Sequence, residues 1–87
     1  MTISFTDEGW DDYLSWQDDR RMLRQILKLI ADIQRNGNTG PGKPEQLRGD
    51  WSGWWSRRID EKHRLVYRIL PDGRIEIVQC RGHYSDK

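Results

Sequence analysis

Glu45, Arg64 and His83 place a carboxylate, a guanidinium and an imidazole in the carboxy-terminal half of an 87-residue chain. Together with the neighbouring Tyr84 they could carry proton transfer at a phosphodiester. Cleaving a ribose phosphodiester without a metal needs a base to take the 2′-hydroxyl proton and a cation to stabilise the phosphorane. It also needs an acid to protonate the leaving 5′-oxygen. Glu, Arg and His can fill those three roles. Glu45 lies in Lys43-Pro44-Glu45-Gln46-Leu47, where proline stiffens the chain just before the carboxylate. Arg64 opens an alternating run, and its planar fork suits two-point contact with phosphate oxygens. Taken singly, each residue also has an ordinary reading: a solvated loop acid, a surface arginine, and two residues near a chain end that carry nothing.

Other chemistries find less support. Cys80 is the only cysteine, so no intramolecular disulfide or cysteine-based zinc site is available. It falls within a strand-like run rather than beside a helix start, which reads as a buried strand residue and not as an activated thiolate. His63 and His83 are the only imidazoles, and no HxH, HxxxH or paired acidic cluster accompanies them. No metal and no cofactor are expected. Gly37, Gly40 and Gly42 follow a helix instead of a strand and lack the lysine of a phosphate loop.

Length and composition set the frame for these residues. The chain fits one domain, 1–87, because so short a polypeptide can make only one core. Its 34% hydrophobic and 33% charged content describes a soluble protein. No run approaches the roughly 18 apolar residues that span a bilayer. Met1 to Phe5 lacks the basic start and apolar stretch of a signal peptide, so a cytoplasmic location and no membrane partner are expected. Residues 1–42 carry five Lys/Arg against seven Asp/Glu, whereas residues 43–87 carry ten against seven. Base accumulates in the half that holds the candidate site, which is compatible with a polyanionic partner or simply a solvated surface.

The elements that must position the site can be read from periodicity. Ile3 to Phe5 is a short strand, followed by Thr6 as a hydroxyl N-cap and by Asp7 and Glu8 in the electropositive first turn of a helix. Trp10, Tyr13, Leu14 and Gln17 recur at helical spacing, and the aromatic pair is expected to cover the core. Asp18 and Asp19 open a second helix with Leu23, Ile26, Leu27, Ile30 and Ile33 as its apolar stripe. It ends at Asn36-Gly37, and Thr39-Gly40-Pro41-Gly42 forbids a restart. The period then changes to two over Trp54 to Ile59, Arg64 to Ile69 and Arg74 to Arg81, with turns at Asp60-Glu61-Lys62 and Pro71-Asp72-Gly73. These predict three antiparallel strands. In the middle one Leu65, Tyr67 and Ile69 should meet the helices, leaving Arg64, Val66 and Arg68 on a face open to a ligand. Of the five tryptophans, Trp10, Trp16 and one of Trp54 and Trp55 are assigned to packing. Trp51 and the outward one of that pair could stack on a base or form a protein surface.

Four separated motifs carry a family resemblance. They are Gly42 to Leu47, Gly53-Trp54-Trp55-Ser56-Arg57-Arg58-Ile59, His63-Arg64-Leu65-Val66-Tyr67 and Cys80-Arg81-Gly82-His83-Tyr84. In these, and in Trp10 to Gln17, the sequence resembles the YoeB toxins of the RelE-like toxin–antitoxin superfamily. The resemblance implies an α+β, RelE-like fold: a short N-terminal strand, two helices, then an antiparallel sheet with the helices packed on one face. It implies a ribosome-dependent mRNA interferase that cuts messenger in the decoding site and inhibits translation, leaving a 2′,3′-cyclic phosphate and a 5′-hydroxyl. By that resemblance Glu45 would be the general base, His83 the general acid and Arg64 the transition-state cation. Tyr84 would orient substrate, and Arg58 and Lys43 would give phosphate contact and electrostatic support; Trp51 is a substrate contact only by the stacking argument above. The implied partners are a cognate, YefM-like antitoxin, the ribosome with its mRNA, and a second copy of the chain. The sequence runs on as Ser85-Asp86-Lys87 past the family's usual terminal His-Tyr, and this extension is expected to fray. Two other readings stand beside this one: a non-catalytic ribosome- or protein-binding module, and a free ribonuclease. The modest net charge argues against the free ribonuclease.

Overall fold

The second helix shows most directly how the sequence builds the fold. In the computed structural model, which describes residues 2–84, Asp19 caps this helix by accepting the N–H of Met22. The helix, α2, spans Arg20–Asn36, and Gly37 closes it by donating its N–H to the Ile33 carbonyl. Ile26, Leu29, Ile30 and Ile33 are buried on one side. The expected stripe included Leu27, which is instead 50% exposed, while Leu29 is 2% exposed. At about 100° per residue Leu27 falls that far from Ile26, whereas Leu29 lies within roughly 60° of it. The three-four spacing alone does not choose between them.

The first helix, α1 (Asp7–Ser15), follows strand β1 (Ile3–Phe5) directly, and Thr6 caps it by accepting the N–H of Gly9. Gly9 is where this helix touches the sheet: a Cβ there would run into the Ile77 carbonyl oxygen, so only glycine permits the approach. The expectation that Trp10 covers the core is corrected. Trp10 is 47% exposed, stacked on Tyr13 with 5.7 Å between ring centroids and edge-on to Phe5 at 5.5 Å. The aromatic that enters the core is Trp16, just past the helix end.

The remaining elements are strands β2 (Glu45–Gln46), β3 (Trp55–Arg58), β4 (Arg64–Ile69) and β5 (Ile75–Gln79), with a 3-10 turn at Gly49–Trp51. They make one five-stranded sheet in the order β1-β5-β4-β3-β2. The three strands expected from alternation are antiparallel as read, but two further strands join them. β1 adds in parallel to β5, pairing Ile3 with Ile75, and β2 adds antiparallel to β3, pairing Glu45 with Ser56. Glu45 therefore lies on an edge strand and not in a loop.

Leu65, Tyr67, Ile75 and Ile77 pack against Trp16 and the buried stripe of α2, so both helices cover the same face. The opposite face is less open than expected, because Val66 is wholly buried there. Its cross-strand neighbours are Ser56 and Gln79, and the register slips between Val66 and Tyr67 where it meets β5.

Candidate functional site

Residues directly opposite on paired strands share a face. Glu45 opposes Ser56, Ser56 opposes Val66 and Arg58 opposes Arg64, so Glu45, Arg58 and Arg64 all project from the face that the helices leave uncovered. Two strand spacings and two residues separate Glu45 from Arg64, a Cα distance of roughly 12 Å. A glutamate and an arginine side chain together can bridge much of that span.

Arg64 is anchored rather than loose. Its Nη1 donates to the carbonyls of Asp60, Glu61 and His63 at 2.9, 3.1 and 3.2 Å. The remaining edge of its guanidinium has no bond among the described residues. The same turn holds Asp60, whose carboxylate accepts the N–H groups of Lys62 and His63 at 2.8 and 2.7 Å. Burial works against the charged form of Asp60, yet those two bonds together with the neighbouring His63 and Arg64 keep its pKa below the ordinary carboxylate value. Arg58, exposed, stands directly across from Arg64. Two like charges in that register repel unless an anion lies between them.

The backbone ties the residue before His83 to Arg64. The N–H of Arg64 donates to the Gly82 carbonyl at 2.9 Å, so the segment after β5 continues the sheet beside the start of β4. His83 follows immediately, with its ring centroid 4.2 Å from that of Tyr84 and both residues half-buried. Ser85 to Lys87, expected to fray, lie outside the described residues.

Lys43 is exposed and has a left-handed backbone, φ 52°, an uncommon conformation for a residue with a side chain. The turn is fixed by its surroundings. Arg57, with a wholly buried side chain, donates to Asp32 at 2.5 Å and to the carbonyls of Gly37, Thr39 and Pro41 at 2.6, 3.0 and 3.2 Å. Gly40 lies so close to this pair that a Cβ would collide with the Asp32 carboxylate. The Arg57 guanidinium holds the Asp32 carboxyl below the ordinary range. Arg57 thus ties the 37–42 linker to α2 and delivers the chain into β2, where Glu45 sits.

The sequence reading missed Arg57. Its signal was available, since it occupies the inward position between Trp55 and Ile59 in an alternating run, where a charge demands a buried partner. In the sequence His63 reads only as a possible metal ligand. It accepts the Gly82 N–H through Nδ1 at 2.8 Å and meets the edge of Trp16 at 4.9 Å.

Trp51 is half-buried at the end of the 3-10 turn, edge-on to Trp54 at 6.2 Å. The Arg68 guanidinium lies 4.4 Å over the Trp54 ring and is held there by Glu76 at 2.7 Å. These groups extend the uncovered face with aromatic and cationic surface. A separate cleft lined by Asp19, Arg21, Met22, Gln25, Ile59 and Asp60 contains none of the candidate residues. An extended polyanion reads an open sheet face without needing an enclosed cavity.

Comparison with known proteins agrees with this architecture. A family model described as the YoeB-like toxin of bacterial type II toxin-antitoxin system matches residues 5–84. A Streptomyces coelicolor protein named Toxin YoeB is 54% identical over 85 residues, covering 97% of this chain and all of that one. Among solved structures, a YoeB/ParE toxin from Agrobacterium tumefaciens superposes with a TM-score of 0.92 at 49% identity, covering 97% of this chain and all of that one. A Staphylococcus aureus chain from a heterotetrameric YoeB-YefM toxin-antitoxin complex gives 0.88 at 41% identity over 97% of this chain and 98% of its own, and a YoeB dimer is known from the same organism. The α+β, RelE-like fold is shared with these toxins.

Proposed function

The chain belongs to the YoeB-like toxins of bacterial type II toxin-antitoxin systems, and from that premise we propose that it is a metal-independent endoribonuclease that cuts messenger RNA in the ribosomal decoding site. Glu45 takes the proton of the 2′-hydroxyl, and the 2′-oxygen attacks the adjacent phosphorus. Arg64, with Arg58 across from it, stabilises the negative charge on the equatorial oxygens. His83 donates a proton to the 5′-oxygen as its bond to phosphorus breaks. The products are a 2′,3′-cyclic phosphate and a 5′-hydroxyl, so atoms and charge balance without water. Tyr84 orients the substrate beside His83, Lys43 adds electrostatic support at the entrance to β2, and Trp51 is available to a base.

One observation supports this reading above the others: the Arg64 N–H donates to the carbonyl of Gly82, the residue before His83, and Arg64 lies across from Arg58 on the face from which Glu45 projects. An imidazole needs a nearby anion to be a good acid at neutral pH, so substrate phosphate completes the catalytic arrangement. The free chain is restrained by a YefM-like antitoxin, for which the Staphylococcus aureus complex is the precedent. An acidic, extended segment laid over Arg58 and Arg64 would neutralise the same charges that hold phosphate. A homodimer follows the other Staphylococcus aureus precedent. The test is message cleavage on translating ribosomes, expected for the wild-type chain and lost in Glu45→Ala with ribosome binding retained. Binding without cutting by the wild-type chain would instead make it a ribosome-binding module.

A further inference from the structure

We propose that His63 is a positioning residue for His83, acting through the backbone of Gly82. The inference rests on the reading of His83 as the proton donor. Gly82 is held from both sides by two consecutive residues. Its N–H donates to His63 Nδ1 at 2.8 Å, and its carbonyl accepts the Arg64 N–H at 2.9 Å. The chain turns there with φ +75°, and the next residue is His83. Fixing both peptide groups of Gly82 fixes the direction in which His83 leaves the sheet.

The His63 ring is itself held. It meets the Trp16 edge at 4.9 Å with the planes 85° apart. Trp16 is buried and donates through Nε1 to the Cys80 carbonyl at 2.9 Å. The Arg81 guanidinium lies 4.2 Å over the same indole and donates to Ser15 Oγ at 3.0 Å. Cys80, Arg81 and Gly82, the three residues that lead into His83, are therefore each tied down. Acceptance at Nδ1 requires that nitrogen to be unprotonated, so the ring proton is assigned to Nε2. A flat ring in place of His63 would keep the contact with Trp16, whereas holding the Gly82 N–H needs an acceptor at the Nδ1 position.

Three substitutions separate those needs in the full chain. His63→Asn keeps an acceptor near Nδ1, His63→Phe keeps the flat ring without one, and His63→Gln moves the amide toward the Nε2 position. Displacing a catalytic group by about 1 Å costs on the order of 100-fold in rate. Single-turnover cleavage on programmed ribosomes should fall by about that factor in His63→Phe and His63→Gln, with ribosome affinity unchanged. His63→Asn should stay within about fivefold of wild type. Amide exchange at Gly82, followed by NMR, should be slow in wild type and His63→Asn and at least about tenfold faster in the other two. Near-wild-type cleavage by His63→Phe, or equal losses in Asn and Phe, would overturn the inference. If wild type does not cut message at all, the ribonuclease reading fails separately. The Gly82 exchange comparison then still decides whether His63 holds that residue, and equal exchange in wild type and His63→Phe refutes it.

Discussion

Arg64→Lys isolates what the guanidinium does that a charge alone does not. In the structure one terminal nitrogen of Arg64 is committed to the carbonyls of Asp60, Glu61 and His63, which leaves the other edge of the fork directed by that anchor. A lysine ammonium is a single point with three donors. It can cap the turn or reach a phosphate oxygen, but it cannot hold both geometries together. In the proposed reaction the substitution therefore removes at least one preorganised, charge-assisted contact to the developing phosphorane. Loss of one such donor costs about 2.7 to 4 kcal/mol, or roughly 100- to 1,000-fold in the chemical step. The assay is single-turnover cleavage on programmed ribosomes at saturating toxin, with ribosome affinity and thermal midpoint measured alongside. The expected outcome is a loss in that range with affinity changed less than about threefold, since charge toward the ribosome is retained. A rate within about threefold of wild type would refute the two-edged role given to Arg64.

Three further outcomes test the frame around the site. Ile33→Ala removes a wholly buried side chain from the face of α2 against the sheet, and urea unfolding should report a loss of about 2 to 5 kcal/mol with the denaturant slope unchanged. Asp32 has a folded pKa below its ordinary 3.8 because of Arg57. Its stabilising contribution is complete above that value and is lost as pH falls through 3.8 toward the lower folded value. Asp32→Asn should lower the urea midpoint at pH 7 and make its fall below about pH 5 shallower. An unchanged slope would contradict the Arg57 pairing. Gly9→Ala should cost about 1 to 3 kcal/mol by pushing α1 off β5, read as a lowered thermal midpoint.

How much of this was legible in the sequence varies with the range of the interactions involved. α2 and β4 carry long, regular periods, and β4 has the bounds read from alternation, Arg64 to Ile69. β2 is two residues long and has no period to read, and the parallel pairing of β1 with β5 joins segments some 70 residues apart. Leu27 and Leu29 both fit a three-four spacing, so only packing could choose between them. For the site, Glu45, Arg64 and His83 were visible as chemical types. The convergence proposed for them depends on the order β5-β4-β3-β2 and on the Gly82 bond, which no local pattern encodes. Family resemblance supplied that step. Val66 shows the converse limit: alternation gave its face correctly but not its burial, because cover comes from groups elsewhere in the chain. Arg57 falls on the inward side of its alternating strand, and only the fold supplies the Asp32 carboxylate and the linker carbonyls that make its burial tolerable.

If side chains alone drive an internal attack by the 2′-oxygen on the decoding-site message, the ends of the cut fragments record it. Message recovered from ribosomes treated with the wild-type chain, with EDTA added after ribosomes are stalled and fixed, should carry a 2′,3′-cyclic phosphate on one fragment and a 5′-hydroxyl on the other. Glu45→Ala and His83→Ala should leave the message intact. A 5′-phosphate, or undiminished cutting by His83→Ala, would contradict the account.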